Sequence, residues 1–106
     1  MANSFVNGSV KIADEILDQI AIGASTDING VFNQEDSYNF NKKNPRSKVK
    51  KVGEKLHFKL TVNLNENVNV MKTVKDIQKN VKNVVENMTG LPVDRVDVTV
   101  ENLHIL

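Results

Sequence analysis

The chain has 106 residues, with 14 Lys and Arg against 13 Asp and Glu, 40% apolar residues, and neither Cys nor Trp. A chain of this length supports one hydrophobic core and has no room for a cleft between domains. The missing Cys excludes disulfides, thiolate metal sites and thiol catalysis. The net charge of +1 conceals a division: residues 42–59 hold eight bases, Lys42, Lys43, Arg46, Lys48, Lys50, Lys51, Lys55 and Lys59, against Glu54 alone, which leaves six bases and twelve acids for the remainder.

Residues 1–7 read as a flexible N-terminus ahead of a single domain over 8–106. Val10 and Ile12 suggest a short first strand. From about Asp14 to Thr26, the apolar face Ile16, Leu17, Ile20, Ala21 and Ala24 predicts a helix. Asp14 and Glu15 stand in its first turn, where the helix dipole favours carboxylates, and Asn29-Gly30 marks its end. Val31-Phe32 reads as a second short strand. Residues 33–47 are polar, with Pro45 and clustered Asn, and predict a long mobile loop.

Residues 48–52 precede Gly53-Glu54, which predicts a hairpin into the next segment. There Leu56, Phe58, Leu60, Val62 and Leu64 alternate with His57, Lys59, Thr61 and Asn63, the pattern of a strand with one wet face. Over 70–88 the apolar residues Val70, Val74, Ile77, Val81, Val84 and Met88, with Val85, gather on one stripe at about 100° per residue. Lys72, Lys75, Lys79 and Lys82 lie opposite. Gly90 and Pro92 stop this helix. Finally Val96, Val98 and Val100 alternate with Asp97, Thr99 and Glu101. The order β-α-β-β-α-β implies an α+β two-layer sandwich, a mainly antiparallel or mixed sheet with both amphipathic helices on one face. The other sheet face, with His57, Lys59, Thr61, Asp97, Thr99 and Glu101, is then solvated or covered by a partner.

Convergent chemistry is sparse. His57 falls on the wet phase of a strand and His104 near the terminus, neither beside a nucleophile motif. The carboxylates are scattered, and the glycines at 8, 23, 30, 53 and 90 build no phosphate-cradling loop. No catalytic, cofactor-binding or metal-binding residue is assigned. The bases of 42–59 and the helix lysines admit three readings: solvated faces, a nucleic-acid interface using phosphate contacts, or attraction to an anionic membrane surface. Tyr38 and Phe40 are the aromatics available for base stacking, because Phe58 is in phase with the core. Residues 1–12 lack a basic start followed by an apolar run, and no stretch approaches the roughly 18 apolar residues of a membrane span. The expectation is a soluble intracellular protein.

Together these segments resemble the alkaline shock protein family, the envelope stress response proteins of Gram-positive bacteria. The resemblance runs through Val68-Asn69-Val70, Gln78-x-x-Val81-x-x-Val84, Glu86-Asn87-Met88-Thr89-Gly90-Leu91 and Val93-x-x-Val96-x-Val98-x-Val100. Gly8-x-Val10-x-Ile12, Glu15-Ile16, Ile20-Ala21 and Gly30-Val31 extend it over about residues 8 to 103. Ala13 replaces the Ser-type helix cap frequent in relatives, which weakens that helix start by about 1 kcal/mol. Asn67 replaces a Gly, which suggests a left-handed backbone there. The resemblance implies a non-enzymatic cytoplasmic protein of cell-envelope homeostasis that self-associates and lies peripherally at the membrane through a membrane-anchored partner. It transfers no catalytic residues. Interaction surfaces are then sought among His57, Lys59, Thr61, Asp97, Thr99 and Glu101, or Lys72, Lys75, Lys79 and Lys82, and the alternative is an RNA-binding module using 42–59.

Overall fold

The computed structural model describes residues 4–5, 8–9, 11–33 and 44–104. They form β1 (Ser4–Phe5), β2 (Gly8–Ser9), α1 (Asp14–Thr26), β3 (Arg46–Val52), β4 (Lys55–Asn65), α2 (Val70–Thr89) and β5 (Val93–His104). β1 and β2 pair antiparallel with each other. The short first strand expected at Val10 and Ile12 is not found at Ile12, which lies outside any strand, half-buried against the core; the pairing there is made just before it, at Gly8–Ser9. Val10, Tyr38, Phe40, Lys42 and Lys43 fall outside the described residues.

The main sheet has the order β3-β4-β5. Gly53, at φ 63°, opens the two-residue turn that joins β3 to β4, and Val52 pairs with Lys55 across it. This positive φ is the conformation such hairpin turns require and glycine adopts without strain. The strand begins at Arg46, so Arg46 and Ser47 belong to β3 and not to the expected 33–47 loop. β4 and β5 pair parallel, because α2 carries the chain back along the sheet between them. At about 1.5 Å per residue in a helix and 3.3 Å in a strand, α2 spans about 30 Å, most of the roughly 36 Å of β4. The sheet is therefore mixed.

The core lies between this sheet and the two helices. Leu56, Phe58, Leu60, Val62 and Leu64 are at most 2% exposed, and they face Leu17, Ala21 and Ala24 of α1 and Ile77, Val81 and Val85 of α2. α1 packs over β3, α2 over β5, and the helices pack on each other. Ala21 and Ala24 present little bulk, and the Asn80 side chain of α2 donates to the Ala24 carbonyl at 2.7 Å. Ile16, expected on the buried face, is 48% exposed: it sits about 100° around the helix from Leu17, on the flank.

α1 starts without a side-chain cap at Ala13, and Asp27 is its C-cap, two residues before Asn29-Gly30. α2 is capped at both ends. The Asn69 side chain accepts from the Lys72 N–H at 3.1 Å, and Gly90, at φ 73°, donates its N–H to the Glu86 carbonyl at 2.9 Å. The apolar stripe is centred on Ile77, Val81 and Val85, continued by buried Thr73 and Thr89. Their hydroxyls donate to the carbonyls four residues back, Asn69 and Val85, which satisfies them within the helix. Met88 is 67% exposed, not part of the core: the buried residues Thr73, Ile77, Val81, Val85 and Thr89 recur every four positions, so the buried stripe turns slowly around α2 and leaves Met88, about 100° from Thr89, on its flank.

Asn67 does not adopt the left-handed conformation: among the described residues positive φ occurs only at Gly30, Gly53 and Gly90. The strained turn is made by Gly30 instead. At φ 99° its backbone runs against Val68, whose Cγ1 would stand 2.5 Å from a Cβ. The Gly30 carbonyl accepts from the Asn65 N–H at 2.8 Å, and Phe32 N–H donates to the Asn63 carbonyl at 2.8 Å. With the Val31–Leu64 bridge, these bonds realise the expected strand at Val31-Phe32 as a short pairing against the end of β4.

Candidate functional site

One face of the main sheet carries the helices, and the other is open. Parallel pairing sets His57 opposite Arg95, Lys59 opposite Asp97 and Thr61 opposite Thr99. Antiparallel pairing sets Lys50 opposite His57, Lys48 opposite Lys59 and Arg46 opposite Thr61. His57, Lys59, Thr61, Asp97, Thr99 and Glu101 are thereby brought to one face. Arg46, Lys48 and Lys50 join it, a set not anticipated from strand parity alone. The signal was present: the Gly53-Glu54 turn pairs Val52 with Lys55, and counting back from it fixes which β3 residues stand beside His57 and Lys59. Arg95 shares the odd-numbered parity of Asp97 and Thr99.

Two ion-pair groups cross this face. The Asp97 carboxylate accepts from His57 Nε2 at 2.8 Å and from Arg95 Nε at 2.7 Å, one oxygen each. These contacts, the His57 hydrogen bond first and Arg95 second, hold the Asp97 carboxyl below its ordinary value of 3.8. Arg46 reaches across β4 to Glu101. Four cations, Lys48, Lys50, Lys55 and Lys59, are exposed and form no ion pair with any described residue. Lys48 and Lys59 face each other directly, an unfavourable like-charge pair in isolation.

The basic segment does not form a single patch. Lys51 is in phase with the core side, opposite Leu56, and reaches Asp14 of α1 at 3.7 Å. Next to it Ser47 donates to Asp18 at 2.9 Å, tying α1 to β3. Partial burial raises the Asp18 carboxyl above its ordinary 3.8, against the lowering effect of the Ser47 hydrogen bond. On the helix side, Lys72, Lys75, Lys79 and Lys82 are all exposed, and Lys72 pairs with Asp76 at 3.0 Å. The sheet-face and helix-lysine surfaces therefore look in different directions.

The His57–Asp97 pair lies on an open face, with the second Asp97 oxygen occupied by Arg95. His104 pairs through its backbone with Asn65. Among the described residues no three His, Asp or Glu side chains come together as a metal site, and no helix is long and apolar enough to cross a membrane.

Similar folds occur in solved structures of the MamM CTD. A single-substitution variant aligns with a TM-score of 0.56 at 13% identity, covering 87% of this chain and 100% of that one. A nickel form aligns at 0.54 with 12% identity, covering 85% and 99%, and a copper form at 0.54 with 13% identity, covering 85% and 98%. At these identities the likeness is one of fold: two helices on one side of a three-stranded mixed sheet. Among curated proteins none matches. The sequence profile of the alkaline shock protein (ASP-23) family, described as having a cell envelope-related function, matches residues 3–105, and the chain belongs to that family.

Proposed function

We infer that the protein is a non-enzymatic interaction module of the cell envelope stress response, which self-associates and docks a membrane-anchored protein from the cytoplasmic side. The observation that carries this reading is the open sheet face. It is held rigid by a fully packed core behind it and bears six cations, Arg46, Lys48, Lys50, Lys55, Lys59 and Arg95, against Asp97 and Glu101. A face with four unpaired lysines is complementary to an acidic protein surface, and such complementarity acts mainly on association rate and partner choice. Membership of a family with an envelope-related function supports the setting.

The RNA-binding alternative draws on the same lysines. Phe58 is 0% exposed on the helix side, so among the described residues of β4 this face offers only the His57 ring, already bonded to Asp97, for base stacking. Crosslinking in cells followed by membrane fractionation tests the docking reading. A crosslinked membrane protein whose capture falls on Lys48→Glu plus Lys59→Glu substitution supports it. A monomer by light scattering that captures no membrane protein overturns it. Tight oligonucleotide binding that weakens linearly with salt on logarithmic axes would favour RNA instead.

A further inference from the structure

The two outer strands of the main sheet are finished differently. In β3 the two-residue turn makes Val52 and Lys55 a hydrogen-bonded pair, so Lys50, Lys48 and Arg46 also bond to β4, and Ser47, Val49 and Lys51 turn their backbone groups outward. α1 lies against that edge: the Asp18 carboxylate accepts from the Ser47 hydroxyl at 2.9 Å and from the Val49 backbone. Lysines at 48, 50 and 51 guard it further, because a second β3 would set lysine beside lysine. β5 lacks such cover. Leu56 donates its N–H to the Pro92 carbonyl at 2.9 Å, so Leu56, Phe58, Leu60 and Val62 turn their backbone groups to β5, where each bonds the residues on either side of its partner. The partners Val96, Val98 and Val100 therefore turn their own N–H and C=O groups outward. Among the described residues the Gln78 amide is the one side chain that bonds this edge, donating to the Val96 carbonyl at 3.0 Å. From Arg95 to Glu101 the edge carries neither proline nor lysine.

We propose that β5 pairs antiparallel with β5 of a second copy about a twofold axis at Val98, joining the two sheets into one. The proposal rests on the self-association inferred above and names its surface. Charge selects the register. An axis at Asp97 sets that carboxylate opposite its own copy, and an axis at Thr99 sets it opposite Glu101, both like-charge pairs. With the axis at Val98, Arg95 stands opposite Glu101 and Asp97 opposite Thr99 on the open face, while Val96 stands opposite Val100 on the helix side. Arg95 is held to Asp97 through Nε, and Glu101 to Arg46 through Oε2, which leaves the terminal guanidinium nitrogens and Oε1 for the second copy. The outward groups of the three valines then make about six backbone hydrogen bonds between the copies. Continued to its ends, the same register sets Leu103 opposite Val93, each on the side of its β4 partner, Leu64 and Leu56. The 48% exposed Leu103 side chain is thereby brought to the groove between α2 and β5, whose floor is Val93 and Val96.

Sedimentation equilibrium and light scattering of the full chain over a range of concentrations test the pairing, and a reversible dimer is expected. Val98→Pro removes the central outward N–H and no bond to β4, so it should abolish the dimer while circular dichroism remains that of the folded chain. Arg95→Glu and Glu101→Arg each set like charges opposite one another twice, and each weakens the dimer about 10- to 30-fold. Mixing these two variants restores it as a heterodimer, because opposite charges then meet at both positions; a structural defect in either chain would not be cured by mixing. Amide exchange is the second measurement, with Val98 and Val100 protected at high concentration and released on dilution. Protection that survives dilution puts another part of the same chain on the edge and overturns the proposal. A monomer at every concentration overturns the self-association together with it. A dimer that persists in Val98→Pro, or single variants that fail to pair when mixed, overturns the β5 pairing and leaves self-association to another surface.

Discussion

β4 is one strand with two opposite environments. Its even-numbered residues from Leu56 to Leu64 are sealed under α1 and α2, while His57, Lys59 and Thr61 between them face an open surface shared with β3 and β5. Only the direction of each Cβ separates the two sets. The covered face concentrates the free energy of folding, at roughly 1.5–3 kcal/mol for each large apolar side chain removed from water. The open face contributes little of it and retains unpaired and like-charged lysines. Charge placed where it does not stabilise the fold is charge available to a partner.

The sharpest way to break this contrast is to substitute neighbours on opposite faces. Phe58→Ala is expected to cost about 3–5 kcal/mol, and Lys59→Ala to change stability by no more than about 0.5 kcal/mol, both read by urea unfolding. A smaller loss is expected at the turn that closes the core. Gly30→Ala should cost roughly 2 kcal/mol, because an L side chain is strained at φ 99° and its Cβ would meet Val68. A Gly30→Ala, Val68→Ala pair should recover the steric part of that loss and not the backbone part. Asn69→Ala removes the α2 cap and should lower stability by about 1 kcal/mol, in the same assay.

The subtlest difference between the faces is in their aspartates. Asp18, partly buried between α1 and β3, is raised by desolvation; Asp97, on the open face, is lowered by His57 and Arg95. Their linkage to folding has opposite sign. The favourable contribution of Asp18 is present below the ordinary carboxylate value and is lost as pH rises through its raised folded value. That of Asp97 is present above the ordinary value and is lost as pH falls through its lowered one. Asp18→Asn is therefore expected to raise stability at neutral pH relative to acid, provided the amide oxygen keeps the Ser47 bond. His57→Ala should move the Asp97 titration midpoint, followed by carboxyl carbon NMR, upward toward 3.8, stopping short of it while Arg95 remains.

Much of this architecture was legible from local pattern. α1 begins and ends where its periodicity does, α2 is found with its glycine stop, and the alternation in β4 marks its buried face. Legibility failed at positions where a neighbour in space sets the outcome. Met88 and Ile16 each lie on the flank of their helix, beside the buried Thr89 and Leu17 respectively. Asn63 has the parity of the open face and is nonetheless buried, at the end of β4 that pairs with the Val31-Phe32 segment. Asn67 is not left-handed; the positive φ near Val68 belongs to Gly30, 37 residues earlier in the chain. The open-face residues were readable one strand at a time, but Arg46, Lys48 and Lys50 join them only through the hairpin register.

The sequence by itself determined the class of protein: a small Cys-free α+β domain, with two amphipathic helices and strands apolar on one side, since periods of 3.6 and 2 are properties of the chain. Tertiary structure decided how the charge is distributed. The eight bases of residues 42–59 read as one block in the chain, yet β3 sends Lys51 toward α1 and its alternate bases to the open face. The groove between α2 and β5 is lined by Gln78, Lys79 and Lys82 of the helix and by residues 93–96 of the strand, which are neighbours only because β5 lies parallel beside β4. Strand order and register follow from long-range hydrogen bonding and packing, and these select which charges become neighbours after local pattern has selected which residues are charged.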